Sequence, residues 1–169
     1  MGKFSRVKIA GRWVDAPRWA LDLPFEVRPS RGFRTTAWAL WKPTLTLLAR
    51  AAKAERRRLE WVRIHDHLGT RREPRHPFGW VITETGEMFL CSYDKGTALH
   101  ELAHLITGDA HGDAWARRCF ELHRRYLSAR AVRQADLEVT RYLSDRKSTR
   151  PELQSHSDLV CRLLLEKKK

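Results

Sequence analysis

The sequence has no long hydrophobic run: none of its stretches approaches the roughly 18–20 consecutive apolar residues that a membrane-spanning helix requires. It has only three cysteines, Cys91, Cys119 and Cys161, and no C-x-x-C pair. An odd number of separated cysteines disfavours a disulfide framework and a zinc ribbon, and it favours a reducing compartment. Residues 1–15 also lack the apolar segment of a secretory signal, so we expect a cytoplasmic protein without membrane association.

The signature motifs of several large enzyme classes are absent as well. There is no G-x-S-x-G, no P-loop and no dinucleotide-binding fingerprint, which argues against those hydrolases, nucleotide-binding enzymes and dehydrogenases. The chain has 169 residues, of which 42% are hydrophobic and 31% charged, a composition typical of one globular domain. We therefore expect a single domain over residues 1–169, with an irregular segment at 1–35 and a core at about 36–166.

The charge of the chain is basic and unevenly distributed. The formal net charge is +13, with +10 in residues 1–58, −3 in residues 59–112 and +6 in residues 113–169. Basic flanks attract phosphate backbones through counterion release, and they predict a sequence-independent association with DNA in which Arg56, Arg57 and Arg58 take part. Scattered charge that only keeps the protein soluble explains the same composition.

Local patterns in the first half predict two hairpins and one helix. Residues 7–14 form a short hairpin that turns at Ala10-Gly11. A helix begins near Pro43, a favourable first-turn residue, and runs to Leu59 with Arg56–Arg58 on its last turns. After a loop at residues 69–79, two short runs pair as a hairpin around Thr85-Gly86, namely residues 80–83 and 88–91.

Apolar periodicity predicts mainly helices in the second half. The expected helices span residues 97–107 with Gly108 as the C-terminal cap, 114–128, 135–147 and 151–166. The second of them carries Trp115, Cys119, Leu122 and Tyr126 in one buried stripe. The order of elements indicates an α+β domain in which a small sheet containing the hairpin packs on the first of these helices.

The most informative segment is residues 100–111, which read H-E-L-A-H-L-I-T-G-D-A-H. Residues four apart lie on one face of a helix, so His100 and His104 can bind one ion about 2.0–2.1 Å from each imidazole. Gly108 accepts the left-handed conformation that ends a helix, and the chain can then return His111 to the same ion. Glu101 lies next to the first histidine and can reach a water molecule without binding the metal.

This ligand set is typical of a catalytic zinc site. Such a site uses three protein ligands and keeps one position open for water, whose pKa falls to about 7. Glu101 would accept the proton of that water and transfer it to the leaving group. The segment therefore predicts a Zn²⁺-dependent hydrolase with His100, His104 and His111 as ligands and Glu101 as general base.

Residues 100–115, which continue with H-G-D-A-W, resemble the active-site segment of the SprT-like (Spartan-like) zinc metallopeptidases. They resemble still more closely the small metallohydrolases of actinobacteria and their phages. The resemblance covers about residues 79–125 and implies a zincin-like fold, the same three zinc ligands, the same catalytic glutamate and a protein or peptide substrate. It also implies that Trp115 anchors the helix after the motif.

Two other functions fit parts of the same pattern. One is a basic nucleic-acid-binding protein whose zinc site is structural or vestigial, and a structural zinc would need a fourth ligand from Asp109, Asp113 or Cys91. The other is an amidase or another non-peptide hydrolase that uses the same metal site.

The remaining histidines and the tyrosines carry weaker expectations. His65 and His67 could hold a second metal, although an exposed polar strand end is the preferred interpretation. His123 lies among arginines and is expected on a solvated helix face. Oxyanion stabilisation often needs a donor, and Tyr93, Tyr126 and Tyr142 are equivalent candidates for it.

Overall fold

A computed structural model describes residues 4–65, 78–108 and 111–144. These residues form a small α+β domain with two sheets, as the sequence predicts. In the first half of the chain the elements are β1 (Phe4–Ile9), β2 (Arg12–Pro17), α1 (Arg18–Leu21), β3 (Glu26–Pro29), α2 (Trp38–Ala54) and β4 (Trp61–Ile64). In the second half they are β5 (Gly79–Ile82), β6 (Glu87–Leu90), α3 (Lys95–Thr107), α4 (Asp113–Tyr126) and a helix over residues 129–144, called α5 here.

The first sheet is the hairpin that the sequence predicts. Strands β1 and β2 pair antiparallel, and the register closes at Ile9 and Arg12. The two turn residues between them, Ala10 and Gly11, have φ angles of 45° and 81°. Positive φ at both positions matches the right-handed twist of a two-residue hairpin.

The second sheet has the strand order β3-β4-β6-β5. Strands β3, β4 and β6 run parallel to one another, whereas β5 pairs antiparallel with β6. One face of this sheet packs against α2 and α3 in the core. The buried sheet residues on this face are Val27, Val62, Ile64, Met88 and Leu90. The β5–β6 pair confirms the second predicted hairpin and lies beside α3.

The expectation of an irregular segment over residues 1–35 is wrong beyond the first hairpin. A helix and strand β3 follow it, and Ala16, Ala20, Phe25 and Val27 are all buried in the core. Strand β3 is four residues long, and its partner β4 lies more than thirty residues away in sequence. Such a short strand has no local hydrophobic alternation, and parallel pairing depends on distant residues, which explains why the pattern missed it.

Helix α2 begins and ends earlier than predicted. It starts at Trp38, after a 3₁₀ turn at Thr35–Ala37, and it contains Pro43 in its interior. Trp38 and Trp41 are almost completely buried, so tertiary packing extends the helix on the N-terminal side of the proline. At the other end Arg56 has a positive φ of 52°, which takes Arg56–Arg58 off the helix.

The three arginines after α2 therefore do not form one helix face. Arg57 donates a hydrogen bond of 2.7 Å to the carbonyl oxygen of Ile106 at the end of α3, and Arg58 pairs with Glu60 at 3.0 Å. The association with DNA that their sequence suggested stays a prediction.

The helices of the second half follow the predicted pattern. Helices α3 and α4 lie where the periodicity places them, and Gly108 caps α3 in the left-handed region with a φ of 66°. The helix expected at 135–147 already begins at residue 129. The helix expected at 151–166 lies outside the described residues. Among the described residues, no helix is both long and apolar enough to cross a membrane.

Candidate metal centre

Helix α3 is fixed in orientation by its apolar residues and by both of its ends. Asp94 is the N-cap residue, and its carboxylate accepts a hydrogen bond of 2.8 Å from the backbone N–H of Thr97. The buried positions place one face of α3 in the core: Ala98, Leu99, Leu102, Ala103 and Leu105. His100 and His104 border this face and are only half-buried, so they point toward the edge of the core.

The third histidine reaches the same place because the chain reverses after α3. Gly108 leaves the helix with a positive φ, and His111 itself has a φ of 63°. A left-handed conformation is uncommon for a residue with a side chain, and such residues cluster at functional sites. The reversal brings His111 back against His100 and His104.

The three histidines meet at their Nε2 atoms. The Nε2 atom of His100 lies 3.1 Å from that of His111 and 3.3 Å from that of His104, and the third distance is 3.2 Å. An ion bound tetrahedrally at about 2.0–2.1 Å holds neighbouring ligand atoms about 3.3–3.4 Å apart. The triangle of nitrogens therefore fits a metal ion, and these three residues can hold one.

The protonation state of His100 suits a bound cation. Burial, together with the nearby His104, His111 and His123, lowers the pKa of His100 to about 3. A neutral imidazole with its lone pair available is the form that binds metals.

Two aromatic rings fix the planes of the imidazoles. Trp115 is fully buried, and its indole stacks on His104 with ring centres 5.2 Å apart and an angle of 18°. The same indole lies edge-on to His100 at 4.7 Å and to His111 at 4.5 Å. Tyr142 of α5 stacks on His111 at 4.4 Å and 6°. The cluster is thus held between α4 and α5.

His123 is buried behind this cluster, which corrects the expectation of a solvated helix face. Its exposed fraction is 1%, and its Nδ1 atom lies 2.9 Å from the Asp136 carboxylate. This contact links α4 to α5, the helix that carries Tyr142. The spacing in the sequence indicates this burial, since His123 lies eight residues after Trp115 on the same face of α4.

Glu101 lies in a tight space between α3 and the sheet. Its exposed fraction is 5%, and burial raises the pKa of its carboxyl group to about 8. A Cβ atom on Gly79 would lie 3.0 Å from both Cγ and Oε1 of Glu101. Gly79, the first residue of β5, therefore leaves room for the glutamate, a role that the sequence did not reveal.

A cleft of about 430 Å³ opens on the three histidines and Glu101. This volume lies within the range of about 300–1,000 Å³ that is usual for ligand pockets. Strand β5, helix α3 and helix α5 all contribute lining residues. The residues that line it besides the histidines and Glu101 include Phe78, Gly79, Trp80, Val81, Thr83, Thr97, Glu138 and Tyr142.

The structure distinguishes among the other predicted site residues. Neither Cys91 nor Asp113 belongs to the group of metal-binding side chains among the described residues, and Asp109 lies outside those residues. Among the described residues, no side chain therefore joins the three histidines as the fourth ligand that a structural zinc would need. His65 is described, but His67 is not, so the second metal site stays a prediction.

Of the three tyrosines, Tyr142 is the one that lines the cleft. Tyr93 packs edge-on to Trp41, and Tyr126 lies under the guanidinium groups of Arg50 and Arg125.

Comparisons with known proteins add a resemblance of fold. No protein-family model and no curated protein matches the sequence. The structure is similar to the crystal structure of Wss1 from Saccharomyces cerevisiae, with a TM-score of 0.48 and 19% identity, over 61% of this chain and 88% of that one. A Wss1 mutant gives the same TM-score and identity over 90% of its chain. A likeness this slight says nothing about the activity of the present protein.

Replacement of Trp115 tests whether this ring supports the histidine cluster. Trp115→Ala removes a fully buried indole and should lower the free energy of unfolding by about 3–5 kcal/mol. It should also weaken zinc binding, since all three imidazoles contact the ring. Urea unfolding and competition with a zinc chelator measure the two effects.

Leu122→Ala on the same buried stripe is the control, because it should lower stability without a comparable loss of zinc affinity. Equal losses of zinc affinity in both variants would contradict the role of Trp115.

Proposed function

We propose that this protein is a zinc-dependent metallopeptidase in which His100, His104 and His111 bind the metal and Glu101 is the general base. The observation that carries the proposal is a triangle of Nε2 atoms, 3.1–3.3 Å on each side, beside a buried carboxylate. The resemblance of residues 100–115 to the SprT-like metallopeptidases supports the same assignment.

The donor set suits zinc better than the harder divalent cations. Imidazole nitrogens favour zinc and its transition-metal neighbours, whereas magnesium and calcium prefer oxygen ligands. A bound zinc ion would supply Lewis-acid chemistry, which polarises a carbonyl group and lowers the pKa of water. Three protein ligands without a described fourth leave room for this chemistry.

Glu101 is placed to move a proton within the cleft. Burial raises the pKa of its carboxyl group, so its ionised form is a strong proton acceptor, and a bound zinc ion would favour that ionised form. The same group can then donate the proton that it accepts to the leaving nitrogen of a cleaved amide. Gly79 limits the space around Oε1 and so restricts the positions that the carboxylate can take.

The part of the cleft that strand β5 forms favours a peptide as substrate. Strand β5 is the last strand of its sheet and pairs only with β6 in the described part of the chain. An edge strand offers backbone N–H and C=O groups to an extended peptide. The exposed rings of Phe78 and Trp80 beside this edge offer contacts to its side chains. A small amide would use neither feature, which favours a peptidase over another amidohydrolase.

Substitution of Glu101 and His104 separates metal binding from hydrolysis. The purified protein should contain about one zinc ion per chain, and His104→Ala should lose most of it. Glu101→Gln should keep the zinc and the fold but lower peptide hydrolysis by about 10²-fold or more, since it removes the proton acceptor. Elemental analysis and cleavage of an unstructured protein substrate provide the measurements.

The activity of Glu101→Gln also distinguishes a peptidase from the alternative function, nucleic-acid binding. A nucleic-acid-binding protein with a structural or vestigial zinc would show no hydrolysis for Glu101→Gln to remove. Hydrolysis at the parental rate in Glu101→Gln would contradict the role of Glu101.

Gly79→Ala tests the positioning of the glutamate without touching it. The added methyl group would press on Glu101 and on the carbonyl oxygen of Phe89, which lies 3.1 Å from the position of the new Cβ. The glutamate must move, so we expect hydrolysis to fall at least about tenfold while zinc content and thermal stability change little. Val81→Ala, on the same strand, is the control. Unchanged hydrolysis in Gly79→Ala would show that the close contact is irrelevant to catalysis.

A further inference from the structure

Another cavity, of about 270 Å³, lies between the β1–β2 hairpin and the carboxyl ends of strands β3 and β4. It shares no lining residue with the cleft at the histidine cluster. The residues that line it are Ile9, Ala10, Arg12, Val14, Arg28, Pro29, Ser30, Arg31, Arg63 and His65. The fold therefore forms a separate cavity that has no role in the proposed hydrolysis.

The lining of this cavity is strongly cationic. It includes four arginines and one histidine, and no carboxylate is among its residues. Glu26, outside the lining, accepts two hydrogen bonds of 3.1 Å from Arg28 and offsets one of the charges. Like charges gathered around one small space repel one another and together attract an anion. The cluster of arginines thus indicates an anionic ligand.

Two of the lining arginines, Arg28 and Arg63, are restrained by contacts with aromatic rings. The Cζ atom of Arg28 lies 4.5 Å from the centre of the Trp61 ring. The Cζ atom of Arg63 lies 5.4 Å from the centres of both Trp61 and Phe89. These cation–π contacts restrict both side chains, so ligand binding costs less conformational entropy.

The topology places the cavity where parallel strands end. Strands β3 and β4 are parallel and reach their carboxyl ends together at Pro29 and Ile64. Ser30, Arg31 and His65 follow these ends directly. In sheets with parallel strands, ligands commonly bind beyond the carboxyl ends of the strands.

We propose that this cavity binds a phosphoryl group. Arginine presents a planar set of donors that matches phosphate oxygens in pairs, and several guanidinium groups around one site suit a dianion. The volume lies below that of pockets for drug-sized ligands, about 300–1,000 Å³, and fits a phosphate ion or one group of a larger molecule. The ligand is either a free phosphate or a phosphate of a nucleic-acid chain.

Calorimetric titration at constant ionic strength tests the proposal. The titrants are inorganic phosphate and a short single-stranded oligonucleotide, with chloride as the reference salt. We expect saturable binding of at least one of the two. Binding of phosphate alone identifies a free-phosphate site, whereas markedly tighter binding of the oligonucleotide identifies a site for backbone phosphates.

Matched charge variants assign that binding to the cavity. Arg12→Gln combined with Arg31→Gln removes two exposed guanidinium groups from the lining and should weaken binding at least about tenfold. Arg130→Gln combined with Arg133→Gln removes the same charge from exposed positions on α5 and should change affinity less than twofold. His104→Ala should also bind with parental affinity, which separates the cavity from the metal centre.

Three results would overturn the proposal. They are the absence of saturable binding of both titrants, parental affinity in the Arg12/Arg31 double variant, and an equal loss of affinity in the Arg130/Arg133 double variant. The last result would show that net charge, and not this cavity, attracts the anion.

Discussion

The convergence of three imidazoles on one point is the constraint on which the rest of the structure depends. Lone pairs on nitrogens 3.1–3.3 Å apart are favourable together only when a proton or a cation lies between them. The fold enforces this arrangement through three features: the buried face of α3, the left-handed backbone at Gly108 and His111, and the indole of Trp115 against all three rings.

The surroundings of the cluster follow from the same constraint. His123 and Asp136 tie α4 to α5, and α5 in turn places Tyr142 on His111. On the other side, β5 approaches α3 closely enough that only a glycine fits at position 79 without displacing Glu101. The sheet, α3 and α5 thus line a single cleft, and α4 supports its histidines from behind with Trp115, although these residues are scattered over the chain.

Local features of the fold could be predicted from the sequence, whereas long-range ones could not. Residues four apart on a helix, and a glycine that ends it, place His100, His104 and Gly108 by short-range geometry. The same holds for the two hairpins, whose turn residues are adjacent. Strand β3 and its pairing with β4 escaped prediction because this pairing joins residues 26–29 to residues 61–64. The early start of α2 depends on the burial of Trp38 and Trp41, which outweighs the signal of Pro43.

Site residues divide in the same way. The histidines and Glu101 lie in one short segment, so their spacing was informative. The role of Gly79 and the choice of Tyr142 among the three tyrosines arise from contacts between elements that are distant in sequence, whereas the burial of His123 could have been read from its spacing to Trp115. The arginines of the cationic cavity come from the hairpin, from β3 and from β4, and neither net charge nor periodicity could have grouped them.

X-ray absorption at the zinc edge of the purified protein tests the central claim most directly, because it reports the atoms bound to the metal. The account predicts about one zinc ion per chain with three imidazole nitrogens and one oxygen ligand at about 2.0–2.1 Å, and no sulfur. Zinc with a sulfur ligand at about 2.3 Å, or zinc that remains bound with the same spectrum in His104→Ala, would contradict it.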